Sequence, residues 1–420
     1  TVQTFLLRRH CVHKMQSQRA AIGAAGATTA VAAALFIRRY LLREIGPPLL
    51  IHASTDKKEK LEKLLMQVRA LLRDYRPHPL FEFSGLLSTI ACGPSMAMPD
   101  IDDALGGRLS SWGLLSAPGT VEVLELSDGG CVALHWGLEP ESVGPGGHPA
   151  AVLLLPGLNN HSRTPYIQAT MKYLRRKGFQ AVCLNYRGIG GTRLTTDRVG
   201  CADAFRDVPQ VLAHMQSKIP GVHLYAIGYS MGGGILLKHL GEESNTTPLR
   251  AAATVAAPID FSSVVALLES SFLNRAFNLV LALGAAHNVG SHLKSYPHMA
   301  SKVDLALLKK ARRIRDIDEA VVCPLNGYTD SEDYYAQCSP VSTLHRIKTR
   351  TLILHAEDDP VVGMSTMPLE AVRSNPYLLM AVTKRGGHIS WTGSGTADGA
   401  AWVDRVATRF FEAQQPAARL

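Results

Sequence analysis

The stretch IGYSMGGG, residues 227–234, sets one serine among four glycines, directly after the apolar run VHLYAI and directly before the helical pattern MGGGILLKHL. A strand that turns into a helix at a single residue forces that residue into a strained backbone conformation. Flanking glycines let neighbouring chain approach where a Cβ would clash. Gly228-Tyr229-Ser230-Met231-Gly232 therefore reads as a nucleophile elbow, the GxSxG pattern in its required strand-turn-helix context. The elbow would hold the Ser230 hydroxyl above a sheet, with the backbone N–H of Met231 free to stabilise an oxyanion. A phosphate-cradling turn fits worse: no Lys-Ser or Lys-Thr follows these glycines, and GxGxxG is absent from the stretch.

A serine hydroxyl is a weak nucleophile until a base takes its proton, so a histidine and an acid must follow. LILHAEDDP, residues 352–360, ends an apolar run on two aspartates, and VTKRGGHIS, residues 382–390, places His388 after a glycine pair. The order Ser230, Asp359, His388 is the order of an α/β-hydrolase. Pro360 favours Asp359 as the partner of His388, with Asp358 the alternative. The second oxyanion donor is expected from the loop after the first buried strand, LPGLNNHS, with the N–H of Leu158 in that role and Gly157 permitting the turn.

Outward from the elbow, strands and helices alternate. TVEVLELSDGGCVALHW, residues 120–136, reads as a hairpin around Asp128-Gly129-Gly130. AAVLLLPG (150–157), FQAVCLNYRG (179–188), VHLYAIGYS (222–230), LRAAATVAAPID (249–260), TRTLILHAEDDP (349–360) and YLLMAVTKRGGH (377–388) read as strands. YIQATMKYLRRKG, DAFRDVPQVLAHMQSK, MGGGILLKHL and AAWVDRVATRFFEA read as helices. Repeated βα units imply a mostly parallel central sheet with helices on both faces. Residues 261–349 interrupt the rhythm with a mainly helical pattern, expected to lie over the strand ends as a lid. Trp391 and the apolar residues Phe272, Leu273, Phe277 and Val280 are candidates for an acyl pocket, although at helical spacing they also suit a lid core.

The predicted organisation is a basic N-terminus over 1–50, a helical linker and extension over 51–119, and an α/β domain over 120–415. Of a net charge of +9, seven charges come from Arg8, Arg9, Lys14, Arg19, Arg38, Arg39 and Arg43, all ahead of the first acid, Glu44. The remaining chain is near neutral, which argues against nucleic acid as a partner. Between Arg19 and Arg38 lie eighteen uncharged residues, rich in Ala, Gly and Thr. They read as a single N-terminal membrane anchor, as an organellar (for example mitochondrial) targeting peptide, or as an ordinary apolar segment. Seven scattered cysteines without CxxC spacing read as reduced structural thiols. His10, Cys11 and His13 lack a second ligand pair, so neither metal nor organic cofactor is expected.

With PGLNNHS, NYRGIGGT, GYSMGGG and AEDDP in hand, the chain resembles the YheT-like branch of the α/β-hydrolase superfamily, which includes plant embryogenesis-associated hydrolases and membrane-anchored animal members. IRDIDEAVVCPLNGYTDSEDYYAQCS, residues 314–339, resembles that branch's lid-to-core signature, with Tyr334-Tyr335 as its paired tyrosine. FSGLLSTI, residues 83–90, resembles a Gly-His-Leu-Gln-Thr-Ile stretch, with Leu86 and Ser88 replacing the His and Gln. Two departures affect the loops: Pro156 stands where many α/β-hydrolases carry His, and Leu134-His135-Trp136 replaces a Leu-Asp-Trp. The resemblance implies hydrolysis of carboxylic esters, with acylglycerols or phospholipids as substrates, through Ser230 as nucleophile, Asp359 as orienting acid and His388 as base. Two alternatives stay open on sequence alone: an acyltransferase using the same acyl-enzyme, and a non-catalytic scaffold that binds lipid or a partner.

Overall fold

Each parallel strand of the central sheet is apolar on both sides, because helices cover both faces. In the computed structural model the described residues are 48–52, 119–391 and 401–414, with the isolated positions 66, 68–70, 72, 75, 89 and 90. The expected N-terminal anchor or targeting segment, most of the 51–119 extension, and His10, Cys11 and His13 lie outside them.

Nine strands form one sheet: β1 Leu49–His52, β2 Thr120–Glu125, β3 Cys131–Trp136, β4 Ala150–Leu155, β5 Gln180–Asn185, β6 His223–Tyr229, β7 Leu249–Val255, β8 Arg350–Ala356 and β9 Leu378–Thr383. Their order is β1-β9-β8-β7-β6-β4-β5-β3-β2. The pairs from β5 to β9 are parallel, while β2 with β3, β3 with β5 and β1 with β9 are antiparallel. This is the α/β-hydrolase fold read from the alternation, with antiparallel strands confined to the edges.

The alternation of side chains along β4 shows how the core divides. Ala151, Leu153 and Leu155 join one cluster, with Val211 and Leu212 of α2 (Val208–Lys218) and Leu236 and Leu240 of α3 (Met231–Glu243). Val152 and Leu154 join the opposite cluster, with Ile167 and Leu174 of helix α1 (Pro165–Arg176) and the Phe410-Phe411 pair of the C-terminal helix. Burying one such Leu contributes roughly 1.5–3 kcal/mol, and a one-residue slip in any strand would exchange the two faces.

Strand β1 has no counterpart in the sequence reading, which assigned residues from 51 onward to a helical extension. Four residues after Pro47-Pro48 carry no measurable period; the strand forms because β9 offers a free edge, pairing Leu49 with Val382 and Ile51 with Met380. The pattern over 203–218 also divides: Ala202–Arg206 is a 3-10 turn and the α-helix starts at Val208, with Pro209 in its first turn where its missing N–H costs nothing.

Between β7 and β8 the chain runs through α4 (Phe261–Ser270), α5 (Phe272–Ser295), α6 (Leu305–Lys310), α7 (Ile314–Ile317), a π-helical turn at Asp318–Val322, α8 (Cys323–Asn326) and α9 (Ser331–Cys338). Asp260 and Ser271 cap α4 and α5, accepting from the backbone N–H of Ser263 and Asn274. Helix α5 turns Asn278, Ala282 and Ala285 inward and leaves Phe272, Val280 and Leu283 exposed at 85%, 67% and 53%. Among the described residues no single helix is long and apolar enough to cross a membrane, whereas α4 and α5 together, bent by 118°, meet that length and composition. The described cysteines Cys131, Cys183, Cys201, Cys323 and Cys338 are buried free thiols.

Candidate active site

Strand β6 delivers Ser230 at its carboxyl end with φ 48° and ψ −123°, and α3 begins at the next residue. A side chain rarely holds this left-handed conformation; here the Ser230 N–H donates to Val255 O at 2.8 Å and its carbonyl accepts from Gly233 and Gly234. A Cβ at Gly232 would collide with the carbonyl oxygens of Leu155 and Pro156, so the glycine lets α3 pack onto the end of β4.

The other sequence-predicted side chains converge there. Ser230 Oγ lies 2.9 Å from His388 Nε2, and His388 Nδ1 lies 2.9 Å from Asp359 Oδ2. The geometry has the serine hydroxyl donating to Nε2 and the Nδ1–H donating to the carboxylate. Asp359 Oδ1 accepts from the N–H groups of Val361 and Val362 at 2.8 and 2.9 Å. Burial pushes the Asp359 carboxyl up, but attraction to the His388 and His355 rings, the histidine hydrogen bond and the Val362 N–H together hold it below its ordinary value. Asp358, the sequence alternative, instead accepts from the N–H of Gly387 at 3.0 Å.

Leu158 and Met231 line one cavity with Ser230 and His388, of about 160 Å³. As the first residue of α3, Met231 presents a backbone N–H with no intrahelical acceptor. The walls come largely from the insertion and the β8 loop, among them Val264, Leu268, Leu281, Ile317, Val321 and Val362. Phe272, Leu273, Phe277, Val280 and Trp391 are not among the lining residues. Trp391 is buried beneath the site, donating its indole N–H to Thr383 Oγ1 at 2.9 Å. The α5 candidates miss the cavity because apolar and polar residues are spread around their helix, so its sequence carries no phase that tells pocket from solvent.

Residues to which no role at the site was assigned from sequence hold this arrangement. Thr89 Oγ1 accepts the backbone N–H of His388 at 2.8 Å, which ties Thr89 to the base. Tyr229, next to the elbow, donates its hydroxyl to Asp404 Oδ1 at 2.6 Å from beneath the sheet, and burial pushes that carboxyl up to about 6. Tyr166 accepts the Gly157 N–H at 3.1 Å, anchoring the loop that bears Leu158. His135 places Nδ1 2.6 Å from Ser162 Oγ, while Asn185 Nδ2 sits 3.2 Å from its Nε2. Burial lowers the His135 imidazole to about 4 and keeps it neutral, so the replacement of Leu-Asp-Trp by Leu-His-Trp leaves the loop hydrogen-bonded. Arg187, which lines the cavity, binds both Asp207 and Asp128, at 2.7 and 2.8 Å.

Comparison with known proteins agrees with the fold. The family model described as serine aminopeptidase, S33, matches residues 146–373. Phospholipase ABHD3 of Mus musculus is 31% identical over 296 residues, covering 70% of this chain and 71% of its own. The protein YheT of Escherichia coli is 30% identical over 281 residues, covering 67% and 81%. Embryogenesis-associated protein EMB8 of Picea glauca is 28% identical over 331 residues, covering 76% and 71%.

Proposed function

The chain belongs to the α/β-hydrolase family, in its S33-like branch with esterase and lipase relatives, and from that premise we propose that it hydrolyses carboxylic esters of lipids through an acyl-enzyme on Ser230. The observation that carries the reading is the unbroken line Ser230 Oγ, His388, Asp359, each step 2.9 Å, at an apolar cavity. His388 Nε2 takes the hydroxyl proton as Oγ attacks the ester carbonyl, and Asp359 fixes the tautomer and stabilises the imidazolium. The N–H groups of Met231 and Leu158 receive the oxyanion. The imidazolium returns its proton to the departing alcohol; His388 then deprotonates a water that attacks the acyl-enzyme, and the carboxylic acid leaves with Ser230 restored.

The cavity supports an acyl chain on its apolar side, where each buried methylene contributes about 0.8 kcal/mol. The name phospholipase carried by one relative points the same way. The insertion over 261–349 is the lid in this reading, and its α5 is a membrane contact in addition to the basic N-terminus. Phe272, Leu273, Val280 and Leu283 stand exposed on a helix without an acidic residue, and residues 261–317 hold eight basic against three acidic side chains. Such a surface suits an anionic lipid interface. Turnover of a panel of acylglycerol and phospholipid esters by the intact chain, set against Ser230→Ala, tests the reading. Turnover that depends on Ser230 supports it, and turnover unchanged by the substitution overturns it.

A further inference from the structure

The loop after β4 is joined to helix α5 across the cavity. Asn288 Nδ2 donates to Asn159 Oδ1 at 3.1 Å, and Asn159 Nδ2 donates to the carbonyl of Leu281, two turns earlier on α5, at 3.5 Å. Gly284 lies between these two points on the same face of the helix. A Cβ there would sit 2.9 Å from Asn159 Nδ2, so the glycine permits the approach. Asn159 holds φ at 61°, in the left-handed region that asparagine tolerates better than most residues. The residue next to Leu158 is thus conformationally strained, and its side chain is held from α5. Leu158, Asn159, Leu281 and Asn288 all line the cavity beside Ser230.

We propose that Asn159 and Asn288 form a positioning clamp that aims the Leu158 N–H at the oxyanion, so that transition-state stabilisation requires α5 to be seated over the site. The proposal rests on the reading of Ser230 as nucleophile and the Leu158 N–H as oxyanion donor. A shift of α5 away from the site would break both hydrogen bonds and free Asn159 from its strained conformation. Reseating α5 rebuilds the donor and closes the acyl chain away from water in one movement. The clamp touches the loop rather than the reacting atoms, so its loss lowers turnover without weakening substrate binding.

Two substitutions separate this role from simple attachment of the insertion. Asn288→Ala removes one hydrogen bond and keeps a strong helix former. Gly284→Ala favours the helix itself while pushing against Asn159. The intact chain and both variants are assayed with a soluble p-nitrophenyl butyrate substrate, and the rate of labelling of Ser230 by a fluorophosphonate is followed in parallel. The clamp requires kcat to fall about tenfold to a hundredfold in both variants. KM stays within about twofold. Labelling slows in step, and the melting temperature of Gly284→Ala is unchanged or raised. A parent labelled at Ser230 with both variants equally fast overturns the clamp alone, as does a loss that appears in KM or follows the melting temperature. A parent that is not labelled at Ser230 overturns the hydrolase reading and the clamp with it.

Discussion

Asp359 turns one carboxylate oxygen to His388 Nδ1 at 2.9 Å and spends the other on the N–H groups of Val361 and Val362, whereas Asp358 accepts from Gly387. The adjacent carboxylates are thereby separated by direction: one faces the imidazole, the other fastens the loop that carries it. Asp359→Asn is expected to lower kcat by about 10⁴-fold, because an amide presents the wrong partner to the Nδ1–H and upsets the tautomer. Asp358→Asn keeps an acceptor for Gly387 and is expected to stay within about fivefold of the parent. Steady-state turnover of one soluble ester by the two variants checks the assignment; equal losses would contradict it.

Thr89 Oγ1 accepts the backbone N–H of His388, the base, at 2.8 Å. Thr89→Val leaves that buried N–H without this acceptor, at a cost of about 1–3 kcal/mol. Thr89→Ser restores the hydroxyl. Thermal melts should place Val well below the parent and Ser close to it, with kcat following the same order. Similar melting temperatures and turnover for Val and Ser would remove Thr89 from the support of the site.

The elbow, the acid and the histidine were legible because each lies at the end of a strongly apolar strand, and GxSxG has a backbone reason to occur there. Thr89 was not, since what matters about it is a single hydroxyl that long-range folding brings to His388. Strand β1 was hidden by its length, four residues whose pairing is decided by the free edge of β9. On α5, Phe272, Leu273, Phe277 and Val280, open to pocket or lid core on sequence, do not line the cavity: Phe277 packs against the core and the other three are exposed, a division that only packing fixes. Asn159 and Asn288, 129 residues apart, each read alone as ordinary polar positions.

Burial pushes the carboxyl of Asp318, on the π turn beside the cavity, up to about 7; Glu319 adds to this, while the Tyr335 hydroxyl and Arg315 oppose it. In the unfolded chain an aspartate titrates near 3.9, so between about pH 4 and 7 the folded chain binds the extra proton and Asp318 contributes less stability as pH rises. Asp318→Asn removes this dependence while keeping an acceptor for Tyr335. The melting temperature of the variant relative to the parent is expected to climb from pH 4 to pH 7 and then level off. A difference that stays constant across this range contradicts the assignment.

The exposed stripe of α5 gives the proposed membrane contact a direct check. Phe272→Ser combined with Val280→Ser and Leu283→Ser should lower partitioning onto anionic phospholipid vesicles by at least about tenfold, given about 0.8 kcal/mol per buried methylene. Turnover of a soluble short-chain ester should hold, because none of the three residues lines the cavity. Raised salt should weaken the binding of the parent, as basic side chains supply part of it. Vesicle partitioning unchanged by the triple substitution would rule out this face.

The proposed mechanism requires His388 and Asp359 to make Ser230 a nucleophile. Its most direct measurement is fluorophosphonate labelling of the intact chain, with the modified residue located by peptide mass spectrometry. One phosphonyl group is expected on Ser230, none on Ser230→Ala, and labelling at least about a hundredfold slower in His388→Ala. A chain that stays unlabelled while folded, or label that persists undiminished in Ser230→Ala, would contradict it.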